Sequence, residues 1–166
     1  MFEAPRGSGP YGIDAAPNGD VWFASLGQSY IARIDTATAK ATVFEPPTPR
    51  QGARRVWVDS KNRVWVSEWN SGNLSMFDPG ANAWKAWKLP GDRPQPDAVY
   101  VDDRDIVWVT DFQDDGNRIV RFDPATERFQ TFTLSHNAQV RQLLGRPGEV
   151  WDAMSGINKL VVTRTR

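Results

Sequence analysis

The dipeptide Val-Trp recurs at an even interval in this chain, at Val21-Trp22, Val64-Trp65, Val107-Trp108 and Val150-Trp151. Each step is 43 residues, which identifies an internal repeat of four units. A second motif keeps the same register: Ile31-Ala-Arg-Ile-Asp35, Leu74-Ser-Met-Phe-Asp78 and, after a two-residue insertion near Asp114 and Asp115, Ile119-Val-Arg-Phe-Asp123. The last copy, Lys159-Leu-Val-Val-Thr163, is less regular.

Within one unit, apolar and polar residues alternate at period two in four short runs. In the first unit these runs cover about residues 11–15, 20–24, 30–35 and 41–45, and turn-forming residues such as Pro17-Asn18-Gly19 separate them. Four short strands in a repeat of this length are the signature of a β-propeller blade. We therefore predict an all-β chain of four four-stranded antiparallel blades, with the repeated tryptophan packed between neighbouring blades.

The unit boundaries predict one propeller domain over residues 1–166, with blades at about 9–47, 48–91, 92–136 and 137–166 plus 1–5. The last unit stops after its third strand. The start of the chain, Phe2-Glu3-Ala4-Pro5, resembles the ends of the fourth strands at Phe44-Glu45-Pro46-Pro47 and Trp87-Lys88-Leu89-Pro90. We expect the N-terminal residues to supply the outer strand of the last blade and so to cover an open sheet edge.

Composition excludes several classes of function. The chain has 20 Lys and Arg against 20 Asp and Glu, so no net field attracts nucleic acid or an anionic membrane. Cysteine is absent, which excludes disulfides, thiol nucleophiles and cysteine-bound metals. No apolar run is long enough to span a membrane, and the start lacks the order of a secretory signal. We expect a soluble chain that would be cytoplasmic with this sequence alone. The compartment of the protein is not determined, because relatives of the kind described below are often exported.

The blade motif resembles that of the streptogramin B lyases, also called virginiamycin B lyases. The likeness lies in Gly9-Pro-Tyr-Gly-Ile13, in Pro17-Asn-Gly-Asp-Val-Trp-Phe23 with Ile31-Ala-Arg-Ile-Asp35, and in Val64-Trp-Val-Ser-Glu-Trp-Asn70, and it extends over essentially the whole chain. The resemblance implies a propeller that opens a cyclic depsipeptide antibiotic at its ester bond by magnesium-assisted elimination. The family has seven blades, whereas this chain holds four, so it resembles the C-terminal four.

Candidate site residues follow from blade geometry. The innermost strand of a blade lines the channel and the second strand runs antiparallel to it, so the start of the first and the end of the second meet at one rim. This rule selects polar residues from all four units, and such convergence is what a ligand site at the channel mouth requires. The candidates are Tyr11, Arg54, Arg55, Glu68, Asp97, Asp111, Gln139, Arg141 and Ser155.

Two functional interpretations of this rim remain open. In the enzymatic one, Glu68, Asp97 and Asp111 hold Mg²⁺, whose preference is for oxygen ligands, and Arg54 or Arg141 stabilises developing negative charge. The resemblance implies histidines at the mouth, yet His136 is the only histidine and lies after the third outer strand. In the other interpretation, the rim binds a small-molecule or cyclic peptide ligand, or an anion through its arginines, without turnover.

Length raises a question of assembly. Four blades at the about 51° wedge of a seven-fold ring cover only about 205°, which leaves two apolar blade faces open. The blades could tighten into a four-membered ring, two chains could join into an eight-bladed ring at about 45° per blade, or further blades could belong to a longer protein. The eight-fold wedge is closer to the seven-fold one than the wedge of about 90° in a four-membered ring is, so we expect a homodimer that completes an eight-bladed ring. A further interpretation is that the chain is an excised or engineered half-propeller that assembles into a larger ring.

Overall fold

The computed structural model describes residues 3–113 and 118–165. Fifteen β-strands in these ranges form four separate antiparallel sheets in chain order. The predicted all-β propeller architecture is therefore confirmed. The insertion near Asp114 and Asp115 lies outside the described residues, as do Met1, Phe2 and Arg166.

The first two blades each have four strands in sequential order. The first blade consists of β1 (Pro10–Ala15), β2 (Val21–Ser25), β3 (Tyr30–Asp35) and β4 (Lys40–Phe44). The second consists of β5 (Ala53–Val58), β6 (Val64–Glu68), β7 (Asn73–Asp78) and β8 (Ala83–Lys88). Short turns join the strands, as expected for a meander of hairpins.

The third and fourth blades differ by one strand. The third consists of β9 (Pro96–Val101), β10 (Val107–Asp111), β11 (Arg118–Asp123) and β12 (Arg128–Thr133). The fourth has only β13 (Val140–Arg146), β14 (Glu149–Met154) and β15 (Lys159–Arg164). Among the described residues, β15 is thus the outer edge of the last sheet.

The expected N-terminal closing strand is not paired with this edge within the described residues. Glu3 and Ala4 belong to no strand, and they lie on the first blade beside Tyr11 and Ile13. The physical reason is that the first and last blades occupy opposite ends of the arc, so the start of a chain lies far from its own β15. Met1 and Phe2, on which the expectation also rested, are outside the described residues.

Neighbouring blades are held together by the repeated tryptophans. Trp22, Trp65 and Trp108 are fully buried on the face that meets the next blade. The Trp22 ring meets Phe77 of the second blade edge-on at 6.0 Å, and the Trp65 ring meets Phe122 of the third at 5.9 Å. The predicted packing role is confirmed for these three residues, and large aromatic area is what makes it stabilising.

The buried indole N–H groups find acceptors at a fixed distance along the chain. Trp65 Nε1 donates to Asp59 at 2.9 Å, and Trp108 Nε1 donates to Asp102 at 3.0 Å. The same Asp59 carboxylate accepts from the backbone N–H groups of Lys61 and Arg63, so it also closes the turn between the first two strands. One aspartate therefore satisfies a buried indole and shapes a hairpin.

The two ends of the arc leave apolar faces uncovered. The innermost strands pack in succession, β1 on β5, β5 on β9 and β9 on β13. In contrast, Ile13 on β1 and Leu144, Trp151 and Leu160 on the fourth blade are exposed. The four blades have therefore not tightened into a closed ring of their own.

No helix long and apolar enough to cross a membrane occurs in the part of the chain that the structure describes.

One buried carboxylate in the last blade lacks a partner. Asp152 lies on β14 between Leu143 and Val161, on the side facing the third blade, and neither carboxylate oxygen has a hydrogen-bond partner among the described residues. The 43-residue repeat places it where Val66 and Val109 stand in the second and third blades. Burial raises the pKa of Asp152 from 3.8 to about 6.

We expect Asp152→Val to stabilise the protein more at pH 8 than at pH 5. Because the folded-state pKa exceeds the unfolded one, folding favours the protonated acid, so the penalty is full above pH 6 and fades as the pH falls towards 3.8. A shift of this size corresponds to about 3 kcal/mol at most. Urea unfolding of both proteins across this pH range measures it, and a difference independent of pH would contradict the assignment.

Candidate functional site

The four rim positions that precede each repeated tryptophan all fall in β-bulges. The pairing between first and second strands shifts register near the start of every first strand, and the shifts enclose Tyr11, Arg54, Asp97 and Arg141. A bulge re-aims side chains and interrupts pairing locally. The same local distortion in each blade therefore presents one side chain per repeat at the channel mouth.

Arg54 is the centre of the mouth. Its Nε donates to Asp97 Oδ1 at 2.6 Å and its Nη2 donates to the Tyr11 hydroxyl at 3.1 Å. Its guanidinium lies 4.0 Å from the Trp69 ring centre and 4.7 Å from that of Tyr11. One guanidinium thus joins three consecutive blades and stacks between two aromatic rings, a use for which its planar shape is suited.

Two further arginines extend this cluster. Arg55 Nε donates to Asp97 Oδ1 at 3.4 Å, and the Arg55 guanidinium lies 5.2 Å from the Tyr11 ring. On the fourth blade, Arg141 is exposed and lies 5.1 Å from the Phe112 ring. Phe112 in turn lies 5.8 Å from Trp69. The mouth is therefore one continuous group of three arginines, three aromatic rings and one aspartate, consisting of Tyr11, Arg54, Arg55, Trp69, Asp97, Phe112 and Arg141.

Burial differs sharply within the mouth. The Asp97 side chain is completely buried and the Arg54 side chain nearly so, while Tyr11 and Arg141 are exposed. Asp97 Oδ2 has no hydrogen-bond partner among the described residues, although Oδ1 is shared by two arginines. Burying this charge is tolerable only because it is paired, so the ion pair is the fixed floor and the exposed groups form the rim.

A serine on the second strand holds the bulge in place. The Ser67 hydroxyl donates to the backbone carbonyl of Asp97 at 2.6 Å and accepts from the Arg55 N–H at 3.1 Å. In the third blade, Thr110 Oγ1 plays part of this role by accepting from the Ala98 N–H at 2.9 Å. These hydroxyls satisfy backbone groups that the irregular pairing leaves unbonded.

The other two predicted carboxylates are bonded to loop residues rather than to the arginines of the mouth. Glu68 is fully buried and accepts from the Ser71 hydroxyl at 2.6 Å and from the Asn73 amide at 3.2 Å. Asp111 is also fully buried; it forms an ion pair with Arg118 and accepts from the backbone N–H of Gln95 at 2.7 Å. Both side chains anchor the connection that follows a second strand.

This arrangement does not fit the expected magnesium site. Asp97 is paired with two arginines, Asp111 with a third, and Glu68 is hydrogen-bonded to its own loop. In residues 3–113 and 118–165, no three His, Asp or Glu side chains are grouped so as to hold a metal ion. Asp97 and Asp111 are each bonded to guanidinium groups, and the three acids do not converge on one point at which their oxygens could coordinate a cation.

The remaining predicted residues belong to the fourth blade. The Ser155 hydroxyl donates to the backbone carbonyl of Gln139 at 2.8 Å, so these two are brought together. His136 lies in the connection between β12 and β13 rather than in the mouth as defined above. Of the predicted residues, the structure brings Tyr11, Arg54, Arg55 and Asp97 into contact, and Arg141 is linked to them through the Phe112 and Trp69 rings.

Two aromatic members of the mouth were not among the predicted residues. Trp69 and Phe112 are 43 residues apart and directly follow Glu68 and Asp111. The 43-residue spacing could have identified them, because the repeat that selects Glu68 and Asp111 also places an aromatic residue directly after each. An aromatic residue at this position covers the neighbouring arginine from the second-strand side.

Solved structures share this fold. A catalytically inactive virginiamycin B lyase from Staphylococcus aureus with quinupristin has a TM-score of 0.85 and 22% identity, covering 97% of this chain and 57% of that one. A streptogramin B lyase structure has a TM-score of 0.82 and 21% identity, covering 99% of this chain and 58% of that one. The chain is a streptogramin B lyase-like β-propeller in fold, and it spans just over half the length of these lyases.

A computationally designed protein, Ika4, has nearly the same extent as this chain. Its TM-score is 0.74 at 14% identity, and the match covers 99% of this chain and 95% of that one. No protein-family model and no curated protein sequence matches this chain. Identities of this size establish the fold alone.

Replacing the serine that bridges the second and third blades is expected to destabilise the protein. Ser67→Ala leaves a buried N–H and a buried carbonyl without a partner, which costs about 1–3 kcal/mol in the free energy of unfolding. Ser75→Ala is the matched control, because Ser75 is buried on the next strand with an unpaired hydroxyl. Urea unfolding followed by tryptophan fluorescence compares them, and equal effects would contradict the bridging role.

Proposed function

We propose that this chain is a binding propeller whose mouth takes a small carboxylate-bearing ligand with an aromatic or peptidic body, without turnover. The observation that carries the proposal is the stack of Arg54 between Tyr11 and Trp69, with Arg55 and Arg141 on either side. Guanidinium groups recognise carboxylates through paired hydrogen bonds, and aromatic rings supply flat apolar contact.

The charge of the mouth supports an anionic ligand. Three arginines share the mouth with one carboxylate, that of Asp97, which leaves two positive charges in excess. Asp97 holds the Arg54 guanidinium in place, whereas Arg141 is exposed and lies against the Phe112 ring. A ligand carboxylate near Arg141 would offset part of this excess positive charge at little desolvation cost.

The competing function is lyase activity on a streptogramin, which the fold suggests. Elimination beside a carbonyl needs a base that titrates near neutral pH, and histidine is the side chain suited to it. The inactive lyase to which this chain is similar carries a histidine-to-alanine substitution. The only histidine here, His136, lies in the β12–β13 connection, so binding is favoured over turnover, and a role in antibiotic resistance would require the turnover.

A carboxylate requirement is testable with a matched pair of probes. We expect N-acetyl-L-phenylalanine to bind at least about tenfold more tightly than its carboxamide in calorimetric titration, since about 1.4 kcal/mol separates them. Arg141→Gln should remove most of this preference. Arg128→Gln, an exposed substitution on the outer strand β12, should leave it unchanged. Equal affinity for acid and amide would refute the anionic ligand.

Turnover is testable with the ligand of the similar lyase. Incubation with quinupristin and Mg²⁺, followed by mass spectrometry, should give no linear product under conditions in which the Staphylococcus aureus lyase consumes the antibiotic. The physical reason is the missing base at the mouth. Linear product that disappears in an Arg54→Ala variant would establish the enzymatic function instead.

A further inference from the structure

The last blade exposes the face that every other blade buries. Trp151 is 40% exposed, whereas Trp22, Trp65 and Trp108 at the same repeat position are at most 2% exposed. Leu160 is 74% exposed, while its equivalents Ile31, Leu74 and Ile119 are buried. With Leu144 beside them, these side chains form what we term the tryptophan face of the arc.

The first blade exposes the opposite kind of face. Ile13 is 68% exposed, whereas its repeat equivalents Val56 and Val99 are 3% exposed. Next to Ile13 is an apolar depression of 350 Å³ whose walls include Tyr11, Phe23, Ile34 and Ala41. We term this the receiving face, because the corresponding face of the second and third blades accepts the tryptophan of the preceding blade.

The two open faces are the two halves of an interface that the chain already makes internally. Trp22 packs on Phe77 and Trp65 packs on Phe122, and Ile34 is the repeat equivalent of both phenylalanines. If the register continues from one copy to the next, Trp151 of one chain meets Ile34 of another. The hydrophobic gain of this contact is of the same kind as at the internal junctions.

We propose that two copies of this chain associate head to tail, the tryptophan face of each on the receiving face of the other, and so close an eight-bladed ring. The occupant of both faces is a second copy because the interface chemistry is that of the chain's own junctions. Closing the ring changes the wedge from about 51° to about 45° per blade, a small adjustment at each junction. The inference is independent of the proposed ligand.

The turns between the first and second strands lie at the end of the channel opposite the mouth. They also fit a continuation of the repeat from one copy to the next. The turn of each blade contacts the turn of the next: Asn18 N–H donates to Asn62, Ser60 N–H to Asp105, and Gly148 N–H to Asp103. Arg146 stands five residues before Trp151, as Ser60 and Asp103 stand before their own tryptophans. In the ring it would meet Gly19 of the partner subunit, beside Asp20 of the partner subunit, an opposite charge.

The ring also gives the free edge of β15 a neighbour. Glu3 and Ala4 lie on the receiving face, where the last blade of the other copy would come to rest. The N-terminal residues of each chain would then reach the partner's β15 and serve as its fourth strand, which hides an exposed edge. The mouth is completed at the same junction, because Arg141 comes next to Tyr11 of the partner subunit.

The mass of the purified chain in solution tests the ring. Light scattering after size exclusion should give about 37 kDa, twice the 18.7 kDa of one chain, from micromolar to submillimolar concentrations. A mass of one chain throughout this range, or a ladder of larger polymers, would overturn the proposal. The intrinsic tryptophan fluorescence should shift to shorter wavelength as the dimer forms, because Trp151 becomes buried.

Three variants define the geometry. Trp151→Glu and Ile13→Glu each damage one face at an exposed position, so both chains should fold and yet remain monomeric alone. Mixed together they should form a dimer again, because one undamaged junction is restored. Thr131→Glu, an exposed substitution on β12, is the control and should stay dimeric. Dimerisation by either face variant alone would show that like faces pair, which contradicts the head-to-tail ring.

Deleting residues 1–5 tests the exchanged strand separately. Because both chains lose the strand that they would exchange, the dissociation constant of the dimer should rise at least about tenfold. Circular dichroism of the deleted chain checks that the blades still form. An unchanged dissociation constant would remove strand exchange from the proposal and leave only the packing of the faces.

Discussion

A propeller blade has two apolar faces, and the whole structure depends on each face finding another blade. The repeated tryptophan supplies most of the area on one face, and valines and phenylalanines of the next blade receive it. Because a sheet of four short strands cannot cover itself, stacking is what makes it stable. Three such junctions form within the chain, and the two terminal faces stay open to whatever completes the stack.

The candidate site is a consequence of the same stacking. Blades that pack in fixed register bring equivalent positions of neighbouring repeats within side-chain reach, so Arg54 meets Tyr11 before it and Asp97 after it. The bulge at the start of each innermost strand turns these side chains towards the mouth. Ser67 then locks two blades together through backbone groups of both. The residues that line the candidate site are therefore also the residues that join the blades.

The similarity to streptogramin B lyases is one of fold, and function depends on which side chains stand at the rim. A propeller presents one rim position per blade, and exchanging the residues there changes what the rim does while the blades stay the same. In this chain the rim holds arginines and aromatic rings, with its one buried acid neutralised by ion pairs. Guanidinium groups and aromatic rings are the side chains that suit an anionic or flat ligand, whereas the one acid is already bonded to two of the arginines.

The repeat in the sequence determined the strands, the blade order and the rim, because periodicity is local and every copy repeats the same register. Tertiary structure alone decided which rim groups pair, that Glu68 and Asp111 close loops, and that Asp152 is buried without a partner. It also showed Glu3 and Ala4 on the first blade rather than on β15. The spacing of the repeat predicts the position of a side chain in its blade. Its charge partners and its exposure depend on which residues of the neighbouring blade pack against it.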